Sequence, residues 1–249
     1  AQAVSGTYIP SRRPDTNIFR LFGILGEAKI VPGKDGTLMV VGQKGINGAP
    51  TEFHEKEQNV WYDPADPQSL TVFDRQPDGS YHIAGEFPAE VLMQVGWSDS
   101  KGFVQNGLIF ALGIMALTLI LWPVAAIIRW HYGWKVTAGD RERKARAWTR
   151  LECAVVILFW ACFVGTIMEG TSHLNVLSSS ADGWFRVIQI IGWIGVIGTL
   201  IAIRNFFVSI GTTGRWWWAK VHDTLILLAC LMSVWLVWIL HLLHFSLLY

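Results

Sequence analysis

Four long apolar runs after residue 102 constrain this 249-residue chain more than any other feature. They cover about 102–128, 151–170, 184–205 and 221–247. Each run is long enough to cross the hydrocarbon core of a bilayer, roughly 30 Å thick, as a helix. The hydrophobic content of 52% is an average over two regions, because charged residues and turn formers are frequent before residue 102. We expect residues 102–249 to form a membrane domain of four transmembrane helices, with the lipid bilayer as its partner.

Basic residues between the apolar runs indicate how the helices are oriented. The loop 129–150 contains seven Lys and Arg, at positions 129, 135, 141, 143, 144, 146 and 150. The loop 205–220 is also basic, whereas 171–183 contains no Lys or Arg. Lys and Arg beside membrane helices resist translocation. We predict that 129–150 and 205–220 face the cytoplasm, and that residues 1–101 and the carboxyl terminus lie on the opposite side.

Local signals mark the ends and the contacts of the apolar runs. Thr137, with an acidic residue three positions later, has the chemistry of a helix cap and predicts a helix leading directly into the second run. Gly192, Gly195 and Gly198 recur at a spacing that lets helices approach closely. The three Trp at 216–218 are typical of an anchor at the membrane interface.

Residues 27–95 show the alternating pattern of strands, interrupted by turn residues. The predicted strands are 28–31, 37–42, 51–55, 59–62, 70–74, 81–84 and 91–95. The segments 32–36 and 76–79 have hairpin-loop chemistry. An apolar piece from Ile18 to Leu25 predicts a short helix or strand before them. We therefore predict an α+β protein, in which an antiparallel β meander or small barrel within a domain 1–101 precedes the four-helix transmembrane bundle.

Charge, cysteines and the amino terminus narrow the class of protein further. The net charge of +1 does not favour nucleic-acid binding, because the basic residues lie beside apolar runs. The three cysteines all lie inside apolar runs, so we expect buried thiols and no disulfide framework. No signal peptide is visible before residue 20. We expect that an upstream segment or the first apolar run exports the β domain.

Two pairs of polar residues are candidates for a metal or haem site. Glu169 and His173 are four residues apart at the end of the second run, and His241 and His244 are three apart near the end of the fourth. Each pair would share one helix face, and imidazole and carboxylate groups from two helices could bind a metal or haem iron. The alternative interpretation is that these side chains bond to each other, to backbone or to water. We predict no cofactor for this chain.

Two further motifs have simpler explanations than catalysis. Asp223, next to His222, could relay protons, but a carboxylate at a helix start is also stabilised by the helix dipole. Ser98 and Lys101 match the S-x-x-K motif of penicillin-recognising enzymes, but they lie in the linker to the first run and the companion motifs are missing. The sequence contains no Gly-rich phosphate loop, zinc-type cysteine cluster or nucleophile elbow. We therefore assign no catalytic residue to this chain.

Segments spread over the chain also form a characteristic combination. They are 6–13 (GTYIPSRR, a G-x-Y-x-x-S-R-R pattern), 35–38 (DGTL), 122–125 (WPVA), 132–150 and 215–220 (RWWWAK). Together they resemble the carboxyl-terminal half of bacterial membrane-anchored serine hydrolases of the β-lactamase and penicillin-binding superfamily. In that family a periplasmic catalytic domain precedes a small β module and a membrane anchor.

The resemblance implies a location and a function. Residues 1–101 and the carboxyl terminus would be periplasmic, in a bacterial inner membrane. The chain would be the anchoring and accessory part of a periplasm-facing serine hydrolase. The catalytic domain would lie upstream or in another chain. That domain, together with other membrane subunits, would be the partner of this chain. Two alternatives stay open: a non-enzymatic accessory subunit of a larger inner-membrane complex, and a metal- or haem-binding membrane protein.

Overall fold

The computed structural model describes residues 1–15, 18, 20–44, 50–85, 91–133, 139–172 and 182–244. The chain forms two compact units, Ala1–Val104 and a second that begins at Gln105. The described residues form a closed eight-stranded antiparallel barrel, followed by four long apolar helices. This confirms the predicted α+β fold class.

The barrel is an up-and-down meander in which each strand pairs with its neighbours in the chain. The strands are β1 (Gly6–Pro10), β2 (Ala28–Pro32), β3 (Leu38–Lys44), β4 (Pro50–Glu57), β5 (Val60–Asp63), β6 (Asp66–Arg75), β7 (Tyr81–Ala84) and β8 (Val91–Val95). The first strand closes the barrel on the last, with Thr7 opposite Val95 and Pro10 opposite Leu92. A short helix, α1 (Arg20–Leu25), connects β1 to β2. Closure pairs the edges that an open sheet would leave exposed.

The seven predicted strands correspond to β2 through β8, and the bounds of β7 and β8 are those predicted. The strand β1 was missed, because the segment 6–13 was interpreted only as a family marker. Its residues Thr7, Tyr8 and Ile9 are nevertheless β-branched or aromatic, which is the ordinary signal of a strand. The apolar piece that ends at Leu25 is a helix.

Both predicted hairpins are confirmed by their backbone hydrogen bonds. Between β2 and β3, the N–H of Gly33 donates to the carbonyl of Thr37 at 2.8 Å. Between β6 and β7, the N–H of Gln76 donates to the carbonyl of Ser80, also at 2.8 Å. Gly79 has φ +87°, a left-handed conformation that glycine adopts without steric cost.

The barrel core is built around three buried aromatic side chains. Tyr8 and Trp61 each meet Phe73 edge to face, with ring centroids 6.2 and 6.3 Å apart. The Tyr8 hydroxyl donates a 2.6 Å hydrogen bond to the carbonyl of Val4. Burial raises the pKa of the Tyr8 phenol above its ordinary range. These contacts attach the closing strand β1 to the interior of the barrel.

The second unit is made of helices that are long and apolar enough to cross a membrane. They are α2 (Lys101–His131), α3 (Asp140–Ser172), α4 (Asp182–Gly211) and α5 (Trp217–Ile239). The chain is therefore a membrane protein. Only 17% of the most apolar stretch of α2 is buried, against 44%, 39% and 39% for α3, α4 and α5. The last three helices form the packed centre, and α2 lies at its edge.

Glycines bring α3 and α4 close together, as their spacing predicts. A Cβ at Gly192 would lie 2.7 Å from the ring of Phe159, and one at Gly195 would lie 3.2 Å from Val156. One turn further, Gly198 faces Glu152 so closely that a Cβ would overlap its carboxylate. The helix α3 starts at Asp140 and continues into the apolar run, as predicted. The proposed cap, Thr137, lies outside the described residues.

The helix α5 ends at Ile239, eight residues before the predicted end of the fourth run. His241 has φ +51°. Its N–H donates to the carbonyl of Trp238 at 3.1 Å, and the N–H of Leu242 donates to that of Val237 at 3.1 Å. This pair of bonds is the Schellman arrangement, which ends a helix at a left-handed residue. The sequence has no glycine at this position, so the end of the helix could not be predicted.

Candidate functional site

Buried and half-buried charged side chains gather where α3 begins, α4 ends and α5 begins. We call Arg146, Arg150 and Arg215, with Glu142 and Asp223, the arginine cluster. Glu142 and Asp223 are 8% and 5% exposed, and the Arg215 side chain is 6% exposed. Charged groups are almost never buried without partners. The cluster is therefore a candidate functional site of the helical unit.

Ion pairs connect the members of the cluster. Arg146 pairs with Glu142 one helical turn earlier, an arrangement that α3 produces by itself. Arg215 pairs with Asp223, and its Nη1 lies 3.1 Å from Oε1 of Glu142. Gly214 has φ +76° in the turn that brings Arg215 back from α4. Arg215 thus joins the start of α3 to α5.

Burial and charge act on Arg215 in opposite directions. Desolvation lowers the pKa of its guanidinium, and the Asp223 carboxylate raises it. Because an arginine guanidinium is not deprotonated in proteins, the group stays charged. It must therefore hold its positive charge in a site with little water.

The helix α2 joins the cluster through two side-chain contacts. Arg150 lies over the Trp122 ring, 5.0 Å from its centroid. His222 Nε2 lies 3.2 Å from Thr118 Oγ1, and that hydroxyl donates its proton to the Ile114 carbonyl at 2.8 Å. The one proton of the hydroxyl can serve only one of these two contacts. Through Thr118 and His222, α2 is joined to α5.

A cavity of about 160 Å³ lies inside the cluster, between its arginines and Asn205. Arg146 Nε, Arg215 Nε and Arg215 Nη1 are buried and make no hydrogen bond to the described residues. For Nη1 the 3.1 Å approach to Glu142 is an ion-pair contact without hydrogen-bond geometry. Unsatisfied buried donors are rare in folded proteins. These three nitrogens are enclosed by protein, and the cavity itself is lined by the side chains of Arg146, Arg150 and Arg215.

The dipole explanation of Asp223 is wrong. It lies seven residues into α5, which begins at Trp217 and has no acidic residue in its first turn. A helix dipole acts only within the terminal turn. The pairing with Arg215 accounts for the buried carboxylate instead. The proton-relay hypothesis for His222 and Asp223 stays untested.

Glu152, to which no sequence pattern assigned a role, is 2% exposed in α3 opposite Gly198. Its Oε1 has no hydrogen-bond partner among the described residues. It was overlooked because it lies at the edge of the predicted run 151–170. A carboxylate inside an apolar run is itself the signal that should have identified it.

The predicted metal or haem residues do not form a site in the part of the chain that is described. Glu169 is exposed on α3, and His173 lies outside the described residues. His241 and His244 follow the end of α5 and do not share a helix face; the His244 carbonyl accepts a 2.8 Å hydrogen bond from Gln189. No group of three or more His, Cys, Asp or Glu suited to a metal occurs among the described residues. The full four-residue hypothesis stays untested.

Two other predictions from single residues can be compared with the structure. Ser98 Oγ lies in a single 3₁₀ turn and donates to Asp99 Oδ2 at 3.2 Å, and this carboxylate also accepts from Arg20. The assignment of no catalytic role to Ser98 stays a prediction. The cysteines are free thiols, with Cys153 and Cys230 buried and Cys162 half-buried, so no disulfide framework exists.

Comparison with known proteins adds no further assignment. No protein-family model, curated protein or solved structure matches the chain.

Proposed function

We propose that this chain is the membrane-anchoring and accessory part of a periplasm-facing serine hydrolase of the β-lactamase and penicillin-binding superfamily. The observation that carries the proposal is the union, in one chain, of a closed β-barrel and four membrane-capable helices. The resembling segments support the family assignment. One of them, 6–13, contains the strand that closes the barrel.

The proposed orientation follows from charge. Exposed basic residues lie at the start of α3 and the end of α4, including Arg141, Lys144 and Arg204. Loops 129–150 and 205–220 would face the cytoplasm of a bacterial inner membrane, and the barrel would be periplasmic. A closed barrel has no free strand edge to extend, so it would support a catalytic domain through its side-chain surface.

Activity-based labelling of native membranes tests the hydrolase assignment. A fluorescent β-lactam or fluorophosphonate should label a band that yields peptides from this chain, or from a protein that copurifies with it. Prior treatment with unlabelled probe is the control and should abolish the signal. Copurification in fixed ratio with an unrelated membrane complex, and no labelled band, would favour the non-enzymatic subunit.

A further inference from the structure

We propose that the cavity in the arginine cluster binds a phosphate-type oxyanion, supplied either as a lipid headgroup or as free phosphate. The inference goes beyond anchoring, because it assigns a ligand to the helical unit. It rests on three observations: the charge of the cluster, the arginine side chains that line its cavity, and the volume of that cavity.

The cluster carries more positive than negative charge. Three guanidinium groups, those of Arg146, Arg150 and Arg215, face only two carboxylates, those of Glu142 and Asp223. Uncompensated charge is costly where water is scarce, as it is around the Arg215 side chain, which is 6% exposed, whereas the Arg146 side chain is 30% exposed. Asp223 also lines the cavity, but Arg215 neutralises it. One bound anion would balance the excess charge, whereas a cation would increase it.

The cavity is lined by three copies of the side chain that is best suited to oxyanions, those of Arg146, Arg150 and Arg215. Guanidinium donors are fixed in a plane that matches the oxygens of phosphate. Asn205, 1% exposed, also lines the cavity and carries an amide that can form hydrogen bonds.

The cavity has the right size and depth for such a group. Its volume of about 160 Å³ exceeds that of several waters, each of which occupies roughly 30 Å³. Trp217 and Trp218 are exposed at the start of α5, next to the cavity. Trp residues of membrane proteins are enriched at the headgroup level of a bilayer. A headgroup phosphate would therefore reach the cavity from the membrane surface, and free phosphate from the solvent.

The test uses the purified chain and two probes. In uncharged detergent, inorganic phosphate is titrated while the unfolding temperature is followed. In nanodiscs, increasing fractions of phosphatidylglycerol replace phosphatidylcholine. We expect at least one titration to raise the unfolding temperature. A response to phosphate identifies a free anion as sufficient, and a response to phosphatidylglycerol alone identifies the lipid headgroup.

Arg146→Gln should weaken the responding titration at least about tenfold, since a hydrogen bond to a charged group contributes about 1.5–3 kcal/mol. Arg143→Gln, on the same helix but with its side chain 72% exposed, is the matched control and should change it less than about twofold. If Arg146→Gln does not fold, Arg150→Gln replaces it. The proposal is overturned if neither probe raises the unfolding temperature, in which case water fills the cavity. It is also overturned if Arg143→Gln weakens the response as much as Arg146→Gln does. Neither result depends on hydrolase labelling.

Discussion

Gly198 and Glu152 show how a single missing side chain makes room for a buried carboxylate. The glycine has no Cβ at the point where the carboxylate of α3 approaches α4. Gly198→Ala should therefore overpack the helix contact and lower the stability of the helical unit by about 1–3 kcal/mol. The measurement is the thermal unfolding of the purified chain in detergent.

Gly165→Ala is the matched control, because a Cβ there meets nothing within 4 Å. The same change in an exposed helical position should stabilise the protein by about 0.4–1 kcal/mol. The double variant Gly198→Ala/Glu152→Ala should recover part of the loss by removing the overlapping carboxylate. Equal effects of the two single glycine variants would contradict the packing explanation.

Tyr8 supports a second prediction at the residue scale. Tyr8→Phe should destabilise the barrel by about 0.5–1.5 kcal/mol, because it removes the buried hydrogen bond to the Val4 carbonyl. The raised pKa of Tyr8 means that the folded state favours the protonated phenol. Its contribution is therefore complete below about pH 10, the ordinary pKa, and is lost as the pH rises through the folded-state pKa.

Chemical denaturation between pH 7 and pH 11 measures both effects. The variant should lose less stability than the parent protein at high pH. Tyr62→Phe in the same barrel is the control, because its hydroxyl makes no hydrogen bond to the described residues and its ring packs near His54. A Tyr62→Phe loss as large as that of Tyr8→Phe would refute the role of the Val4 bond.

At the scale of elements, the hairpin between β6 and β7 is held by Asp78. Its carboxylate accepts from the Ser80 N–H at 2.9 Å and from the Ser80 hydroxyl at 2.6 Å. These hydrogen bonds lower the pKa of Asp78. A lowered pKa contributes stability above the unfolded-state pKa, near 4, and this stability is lost as the pH falls through the folded-state value.

Asp78→Ala should therefore destabilise the barrel at pH 7 and have a smaller effect at pH 2. Asp78→Asn keeps an acceptor for the turn and should lie between the parent protein and the alanine variant at pH 7. Denaturation of the three proteins at both pH values is the measurement. A loss that is the same at both values would show that charge on Asp78 is not involved.

Elements were predictable where their signals are local. The strands β7 and β8 follow from alternation, and the hairpins from Gly, Pro and Asp. The end of α5 was not predictable, because His241 adopts the left-handed conformation that glycine usually supplies. The metal hypothesis assumed that His241 and His244 lie on one face of a helix. Because α5 ends at Ile239, both residues lie outside the helix.

At the scale of the whole molecule, the proposed orientation predicts opposite accessibility for two exposed positions. Lys34 lies in a barrel hairpin and Thr213 in the turn between α4 and α5. In membranes of the native host, Lys34→Cys should react with an impermeant maleimide in intact spheroplasts. Thr213→Cys should react only after the membrane is permeabilised.

Both variants require a background in which Cys153, Cys162 and Cys230 are replaced by Ala, since these thiols are free. The background without a new cysteine is the control and should stay unlabelled. Labelling of Thr213→Cys in intact spheroplasts would reverse the assignment of loop 205–220 to the cytoplasm.

The amino-acid sequence by itself determined the membrane-capable helices, most strands and the uneven distribution of basic residues. These features depend on composition and on periodicity between near neighbours. Only the tertiary structure decided that β1 pairs with β8, and that Glu142 and Asp223 both pair with Arg215. Such contacts join residues far apart in the chain, and their free energy depends on the packing of whole elements, which a local pattern does not report.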